Sequence, residues 1–363
     1  MSIITNKAAN NLIRPELKHL QPYQTSEGYA NIRMDSNENP FPWPEGMKEE
    51  LYNSAFEFNR YPDGSAKALR QAIAGYNNVD WTEVLVGNGS DELIQLILGT
   101  FAGPGSSVIL HPPTFSMYWA AAAVTGTHVQ EIPLLGGIEL DTERILKSGK
   151  QNVRSVIIIC NPNNPTGSLF ARSEILKIVQ ESPGLVVVDE AYFEFSGQTL
   201  ADVINEYPNL LILRTFSKAF GLAALRVGYV LGNKDLIAAL NKVRQPFNVN
   251  SFSQRAATIA LKYLPAYLRQ VAILKEEIQK ISQSLSQIPG VTVYPTAANY
   301  VLFRSANSQV WAEEFAVRGI AVRYFANLPV LEEAIRASSA LPEQNREFLR
   351  VAASLAGVCQ YSE

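Results

Sequence analysis

Four short segments carry side chains that could do chemistry together. Asn161-Pro162-Asn163-Asn164-Pro165-Thr166-Gly167 follows the apolar run Ser155–Cys160, and Asp189-Glu190-Ala191-Tyr192 follows Leu185–Val188. Thr215-Phe216-Ser217-Lys218-Ala219-Phe220-Gly221-Leu222 follows Leu210–Leu213, and Leu225-Arg226-Val227-Gly228-Tyr229 comes next. A lysine amine becomes a nucleophile and a proton carrier near neutral pH once burial or bonding lowers its pKa. A carboxylate holds a proton on a basic partner, and a guanidinium grips an anion. A further anion site is expected at Gly89-Ser90-Asp91, where free N–H groups at the start of a predicted helix favour negative charge. Each piece also has a plain structural use. Asn-Pro-Asn-Asn-Pro makes an ordinary turn, Asp189 a helix cap, Lys218 a solvated loop residue and Arg226 a surface ion pair. The ordered set carries more weight than any member.

Something must hold these segments together. The runs Val84–Val86, Val108–Leu110, Val129–Ile132, Ser155–Ile159, Leu185–Val188, Leu210–Leu213 and Val227–Leu231 read as strands, several of them continuously apolar. That is the pattern of strands covered on both faces, as in a parallel sheet flanked by helices. Asp91–Phe101, with Leu93, Ile94, Ile97 and Leu98 on one face, and Arg172–Gln180 read as helices between them. Three of the four segments then begin at the carboxyl ends of strands, the edge where open α/β sheets bind ligands. The expected organisation is an arm and crossing segment over residues 1–45, a large α/β domain over 46–265, and a smaller α+β domain over 266–363. In the last, Tyr267–Leu285 and Trp311–Arg318 read as helices and Val291–Tyr294, Asn299–Phe303 and Ile320–Arg323 as strands. Pro40, Pro42 and Pro44 make the crossing segment stiff and non-helical.

Composition narrows the function classes. The 363 residues are 47% apolar and 18% charged, enough for a large core and unlike disordered or fibrous chains. A net charge of −3 gives no bulk attraction for nucleic acid or an anionic membrane, and neither is expected as a partner. Two cysteines, Cys160 and Cys359, make no disulfide framework, and three histidines without ligand spacing make no metal site. No apolar run reaches membrane-spanning length, and Met1–Lys7 lacks a signal-peptide pattern, so a reducing cytoplasm is expected.

Together the segments resemble the fold type I pyridoxal-phosphate aminotransferases, and within them the histidinol-phosphate aminotransferase family, which Arg214-Thr-Phe-Ser-Lys-Ala-Phe-Gly-Leu-Ala fits well. Asp35-Ser-Asn-Glu-Asn-Pro40, Asn59-Arg-Tyr-Pro-Asp63, Gly89-Ser-Asp-Glu92 and Pro112-Pro-Thr-Phe-Ser-Met-Tyr118 are also typical, so the resemblance covers nearly the whole chain. It implies pyridoxal 5′-phosphate as cofactor, with Lys218 as the Schiff-base lysine that moves the proton and Asp189 paired with the ring nitrogen. Tyr192 and Asn164 would bind the ring oxygen, and Phe115 would stack on the ring where tyrosine is common. Gly89, Ser90 and Asp91, with Ser217 and Arg226, would cradle the phosphate. Tyr61 would reach the phosphate of a neighbouring subunit, which implies a homodimer.

For substrate, the resemblance implies Tyr23 in His19-Leu-Gln-Pro-Tyr23, Arg323, and Arg350 in Phe348-Leu-Arg-Val. The family follows its Leu-Arg segment with a Gly-Thr turn and a closing helix. Only 13 residues follow Arg350, so a shortened chain end beside the substrate arginine is expected. The implied reaction is transamination of histidinol phosphate with 2-oxoglutarate and glutamate. Alternatives are an aminotransferase for aromatic or other amino acids, a lyase acting on threonine phosphate, and a sensor domain of a transcription regulator. Against the last, the arm before Asn39 carries no DNA-binding pattern.

Overall fold

The strands sort their side chains by parity, and that sorting builds the molecule. The computed structural model describes residues 11–18, 20, 22, 30–152 and 154–357. After β1 (Ile32–Arg33) come β2 (Val84–Gly87), β3 (Ser107–Leu110), β4 (His128–Glu131), β5 (Ser155–Cys160), β6 (Leu185–Asp189), β7 (Leu210–Thr215) and β8 (Gly228–Gly232). These last seven form one sheet in the order β2-β8-β7-β6-β5-β3-β4, with β8 alone antiparallel to its neighbours. Along β5, Ile157 and Ile159 enter one core while Val156, Ile158 and Cys160 enter the other. Val186 and Val188 of β6 and Leu210 and Ile212 of β7 join the first core; Leu185, Val187, Leu211 and Leu213 join the second. Successive side chains point to opposite faces, so a strand apolar at every position must be covered twice. The expected α/β fold is therefore present, a mostly parallel seven-stranded sheet between two helical layers.

A second, four-stranded antiparallel sheet runs β12-β13-β10-β9, from β9 (Thr292–Val293), β10 (Tyr300–Arg304), β12 (Arg323–Leu328) and β13 (Glu332–Ser338). β11 (Ile320–Ala321) pairs in parallel with β1, which brings Met34 into the small core beside Phe303, Trp311, Phe315 and Phe348. The long helix Leu264–Ser286 serves both cores: Tyr267, Val271 and Leu274 pack on the large sheet, Ile278, Ile281 and Leu285 on the small one. The chain closes with the helix Pro342–Leu355, begun by a proline at its first turn. No helix is long and apolar enough to cross a membrane among the described residues.

That closing helix corrects the expected chain end. Arg350 does not precede a turn and a helix; it lies inside the closing helix. Arg336 lies on β13, after Ile335, and that strand is followed by three residues outside any element and then by that helix.

Candidate active site

The carboxyl ends of β2, β5, β6 and β7 meet at one edge of the large sheet, and antiparallel β8 begins there. The pairings Gly87↔Gly228, Thr215↔Gly228 and Cys160↔Asp189 bring the sequence segments to one place. They surround a cavity of about 410 Å³, a size suited to a small organic ligand. The crossing segment Ser36–Glu38 and Arg336 of the small sheet close its other wall.

At one end lies Asp189, 3% exposed. Its parity on β6 turns it toward the helix Met117–Thr125, where the Tyr118 hydroxyl donates to Oδ2 at 2.7 Å. The Ala191 N–H donates to Oδ1 at 3.1 Å. Burial pushes the carboxyl up to about 6, and the Tyr118 bond works against that rise. A cationic ring N–H brought here would gain a buried, preoriented acceptor.

Lys218 lines the same cavity. Its Nζ donates to Ser36 O at 2.9 Å. Burial, with the Arg336 guanidinium nearby, brings the ammonium down to about 8, so an appreciable fraction of free amine exists near neutrality. Tyr192 is 3% exposed, with its ring 5.9 Å from Lys218 Nζ. Phe115 lies at the cavity wall, edge-on to Tyr118 at 5.6 Å.

An anion cradle also lines this cavity. The helix Ser90–Phe101 starts there, after Gly89 with φ 83°. A Cβ on Gly89 would stand 2.6 Å from Arg226 Nη2, so the guanidinium and the turn approach closely only because glycine is there. Arg226 also pairs with Asp91 at 3.1 Å, half exposed at the cavity rim, and Ser217 lines the same end. Acid, amine and phosphate-type cradle thus lie in one cavity, the three groups that the ring nitrogen, aldehyde carbon and phosphate of pyridoxal phosphate require. The residues present fit that cofactor.

Arg336 is the residue that sequence reasoning missed. It is 5% exposed and lines the cavity. Nη1 donates to Asn164 Oδ1 at 2.5 Å and Nη2 to Asp35 O at 2.5 Å, while its buried Nε has no partner. A buried guanidinium facing a cavity, with a donor to spare, is built to take an anion. The available signal was Ile335-Arg336, followed within six residues by Pro342 at a helix start.

The other substrate residues fare differently. Arg350 is exposed and paired with Glu347 at 2.7 Å, one turn back on its own helix, away from the cavity wall. Its position faces solvent, which is why a solvated ion pair satisfies it. Arg323 starts β12 beside Arg336 in the ladder but does not line the cavity; its guanidinium lies 5.7 Å from the Phe325 ring. Tyr61 is 80% exposed and stacked on Phe247 at 4.4 Å, bordering a separate surface cavity. Tyr23 lies outside the described residues.

Known proteins share this fold. The family described as aminotransferase class I and II matches residues 30–352. A histidinol-phosphate aminotransferase of Desulfitobacterium hafniense (strain DSM 10664 / DCB-2) is 49% identical over 343 residues, 93% of this chain and 95% of that protein. One of Thermoanaerobacter pseudethanolicus is 40% identical over 339 residues, 92% and 96% of the two chains. The crystal structure of the Clostridium acetobutylicum histidinol-phosphate aminotransferase matches with a TM-score of 0.83 at 25% identity, covering 90% of this chain and 99% of that one. A Sinorhizobium meliloti histidinol-phosphate aminotransferase, solved in complex with pyridoxal-5′-phosphate, shares the fold with a TM-score of 0.83 at 23% identity, covering 94% and 98%. The chain belongs to the class I and II aminotransferases and, among them, to the family of the histidinol-phosphate aminotransferases.

Proposed function

We propose that this protein transfers the amino group of histidinol phosphate to 2-oxoglutarate, with pyridoxal 5′-phosphate in the cavity, as a cytoplasmic homodimer. The observation that supports the substrate best is the pairing of a complete cofactor wall with a second buried cation, Arg336, at the opposite wall. Relatives of that activity at 49% identity support the same substrate. One arginine grips phosphate and carboxylate alike, so the same group would serve histidinol phosphate in one half-reaction and glutamate in the other.

Each residue then has a task. The bound cofactor supplies an electron sink for the pair left behind when the substrate α-carbon loses its proton. Asp189 holds the positive ring nitrogen that makes the sink effective. Lys218 Nζ would hold the cofactor, take the α-proton and return it to the cofactor carbon on the other side of the transferred nitrogen. The lowered amine suits this, because a base works best with its pKa near the working pH. Ser217, Arg226 and the N–H groups at the start of Ser90–Phe101 bind the cofactor phosphate. Phe115 covers a ring face, and Asn164 and Tyr192 bind the ring oxygen. Arg336 orients the substrate by its anionic end, so that its α-hydrogen points at Lys218.

Support for the dimer is the exposed aromatic group Phe58, Tyr61 and Phe247, 78%, 80% and 42% exposed, which a second copy would cover. The test of function is glutamate formation from histidinol phosphate and 2-oxoglutarate. The wild type is expected to turn over, and Lys218→Ala to lose several orders of magnitude while keeping its fold. Equal turnover in that variant would remove Lys218 from the chemistry.

A further inference from the structure

Ser36 and Asn37 line the cavity, and with Asp35 they touch three working groups in succession. Arg336 Nη2 donates to Asp35 O, Lys218 Nζ donates to Ser36 O, and Asn37 Nδ2 donates to Tyr192 Oη at 2.9 Å. Asn37 is 1% exposed, and its φ of 55° lies in the left-handed region that side chains other than glycine's rarely adopt. A glycine would take that backbone without strain, so asparagine stands there for what its side chain does. The conformation is held from several sides. Asn37 N donates to Ser338 Oγ at 2.9 Å, and Asn299 Nδ2 donates to Asn37 O at 3.2 Å. Ser338 Oγ also reaches Asn37 Oδ1 at 3.2 Å and donates to Met34 O at 2.9 Å. Ser338 is two residues from Arg336 on β13, hence on the same face of the strand.

We propose that Asn37 is a positioning residue for the transamination: its amide occupies a lone pair of the Tyr192 hydroxyl and so commits that hydroxyl's single proton to the cofactor's ring oxygen. This rests on the cofactor placement proposed above. A hydroxyl has one proton to give and two lone pairs. Among the described residues Tyr192 Oη makes no other hydrogen bond, so once Asn37 donates to it, the proton is free for a ligand. The device also ties the two walls together. The strand that presents Arg336 to the substrate holds Asn37 through Ser338, and Asn37 holds Tyr192. Asn164 takes the remaining link, since it accepts from Arg336 at the same wall.

The test reads the pH midpoint of the bound cofactor's visible absorbance. A donor to the ring oxygen stabilises its anionic form and lowers that midpoint, so losing the donor raises it. Asn37→Gly keeps the left-handed backbone at ease and removes only the amide. It is expected to melt close to the wild type and to raise the midpoint by about one pH unit, the size of one charge-assisted hydrogen bond. Tyr192→Phe is expected to raise it at least as far, and the double variant no further than Tyr192→Phe alone. The other charged and titratable neighbours of Tyr192, which are Lys218, Arg336, Asp189, Cys160 and Tyr300, stay in place throughout. If Asn37→Gly does not fold, Ser338→Ala loosens the same amide and is expected to give a smaller rise that also vanishes without the Tyr192 hydroxyl. An unmoved midpoint, or shifts that add in the double variant, would overturn the proposal. A wild type that takes up no chromophore would overturn the cofactor placement, and this proposal with it.

Discussion

Asp189 shows what a functional residue costs its fold. The folded carboxyl sits at about 6 against 3.8 for an ordinary one, so between those values the folded state keeps a proton that the unfolded state has lost. The cofactor-free protein therefore loses stability as pH rises from about 4 to about 6, and the cost stays constant above. A shift of about two units corresponds to at most about 3 kcal/mol. Asp189→Asn removes that cost but leaves the Ala191 N–H a poorer partner. The cofactor-free variant is expected to be about 1–2 kcal/mol more stable at pH 8, in a denaturant titration, while turnover falls by more than a hundredfold. The arginines give a second prediction. Arg336→Ala should raise the Michaelis constant for histidinol phosphate roughly ten- to a hundredfold, the loss of about 1.5–3 kcal/mol from a charge-assisted contact. Arg350→Ala should change it less than twofold, since its partner is an exposed carboxylate on its own helix. The reverse pattern in steady-state kinetics would exchange their roles. The residues by which the large sheet lines the cavity were legible in the sequence because they stand in contiguous motifs just past strand ends. Tyr118, Asn37 and Arg336 were not, because each gains its meaning from a partner between 71 and 172 residues away.

At the level of elements, the ends of β6 and β7 are held together beneath the cavity by a buried ion pair. Arg214 Nε and Nη2 donate to Glu190 Oε2 at 3.0 and 2.7 Å, with both side chains 2% exposed or less. Nη1 donates to Asn77 Oδ1 at 2.7 Å, and the guanidinium lies 3.6 Å from the Phe193 ring centre. Glu190 adjoins Asp189, and Arg214 precedes Lys218 by four residues, so the pair fixes the two loops that carry the acid and the amine. Glu190→Ala leaves the Arg214 charge buried and alone. It is expected to cost about 3–5 kcal/mol of stability in a chemical denaturation experiment. Replacing both partners by apolar residues of similar volume should cost much less. Equal losses in the two variants would mean that the pair is not coupled. Strand existence was readable from unbroken apolar runs, because β5, β6 and β7 are buried on both faces. β12 and β13 were not readable, because their residues mix charge with apolar positions and their hairpin lies at the edge of a small sheet. Reading past them is why the sequence pointed to Arg350, exposed on the last helix, and not to Arg336, which lines the cavity.

For the whole molecule, two cores meet around one cavity. The helix Leu264–Ser286 spans both, and the crossing segment joins the small core through Met34 while it lines the cavity through Ser36 and Asn37. Sequence patterning does not show this interleaving, which arises from contacts across some 300 residues, such as Asn37 with Ser338. Assembly gives a prediction at this scale. Sedimentation should show a particle of two 40.0 kDa chains, and Tyr61→Phe should keep that mass while raising the cofactor's dissociation constant about tenfold. A 40.0 kDa particle that holds its cofactor equally well would contradict a shared site. The most direct measurement of the central claim is a single half-reaction. The cofactor-loaded protein is mixed, without any keto acid, with histidinol phosphate, histidinol, phenylalanine or threonine phosphate, and the visible absorbance is followed. Rapid discharge by histidinol phosphate, at least tenfold faster than by histidinol at equal low concentration, is the predicted result. Discharge by phenylalanine with none by histidinol phosphate would contradict it.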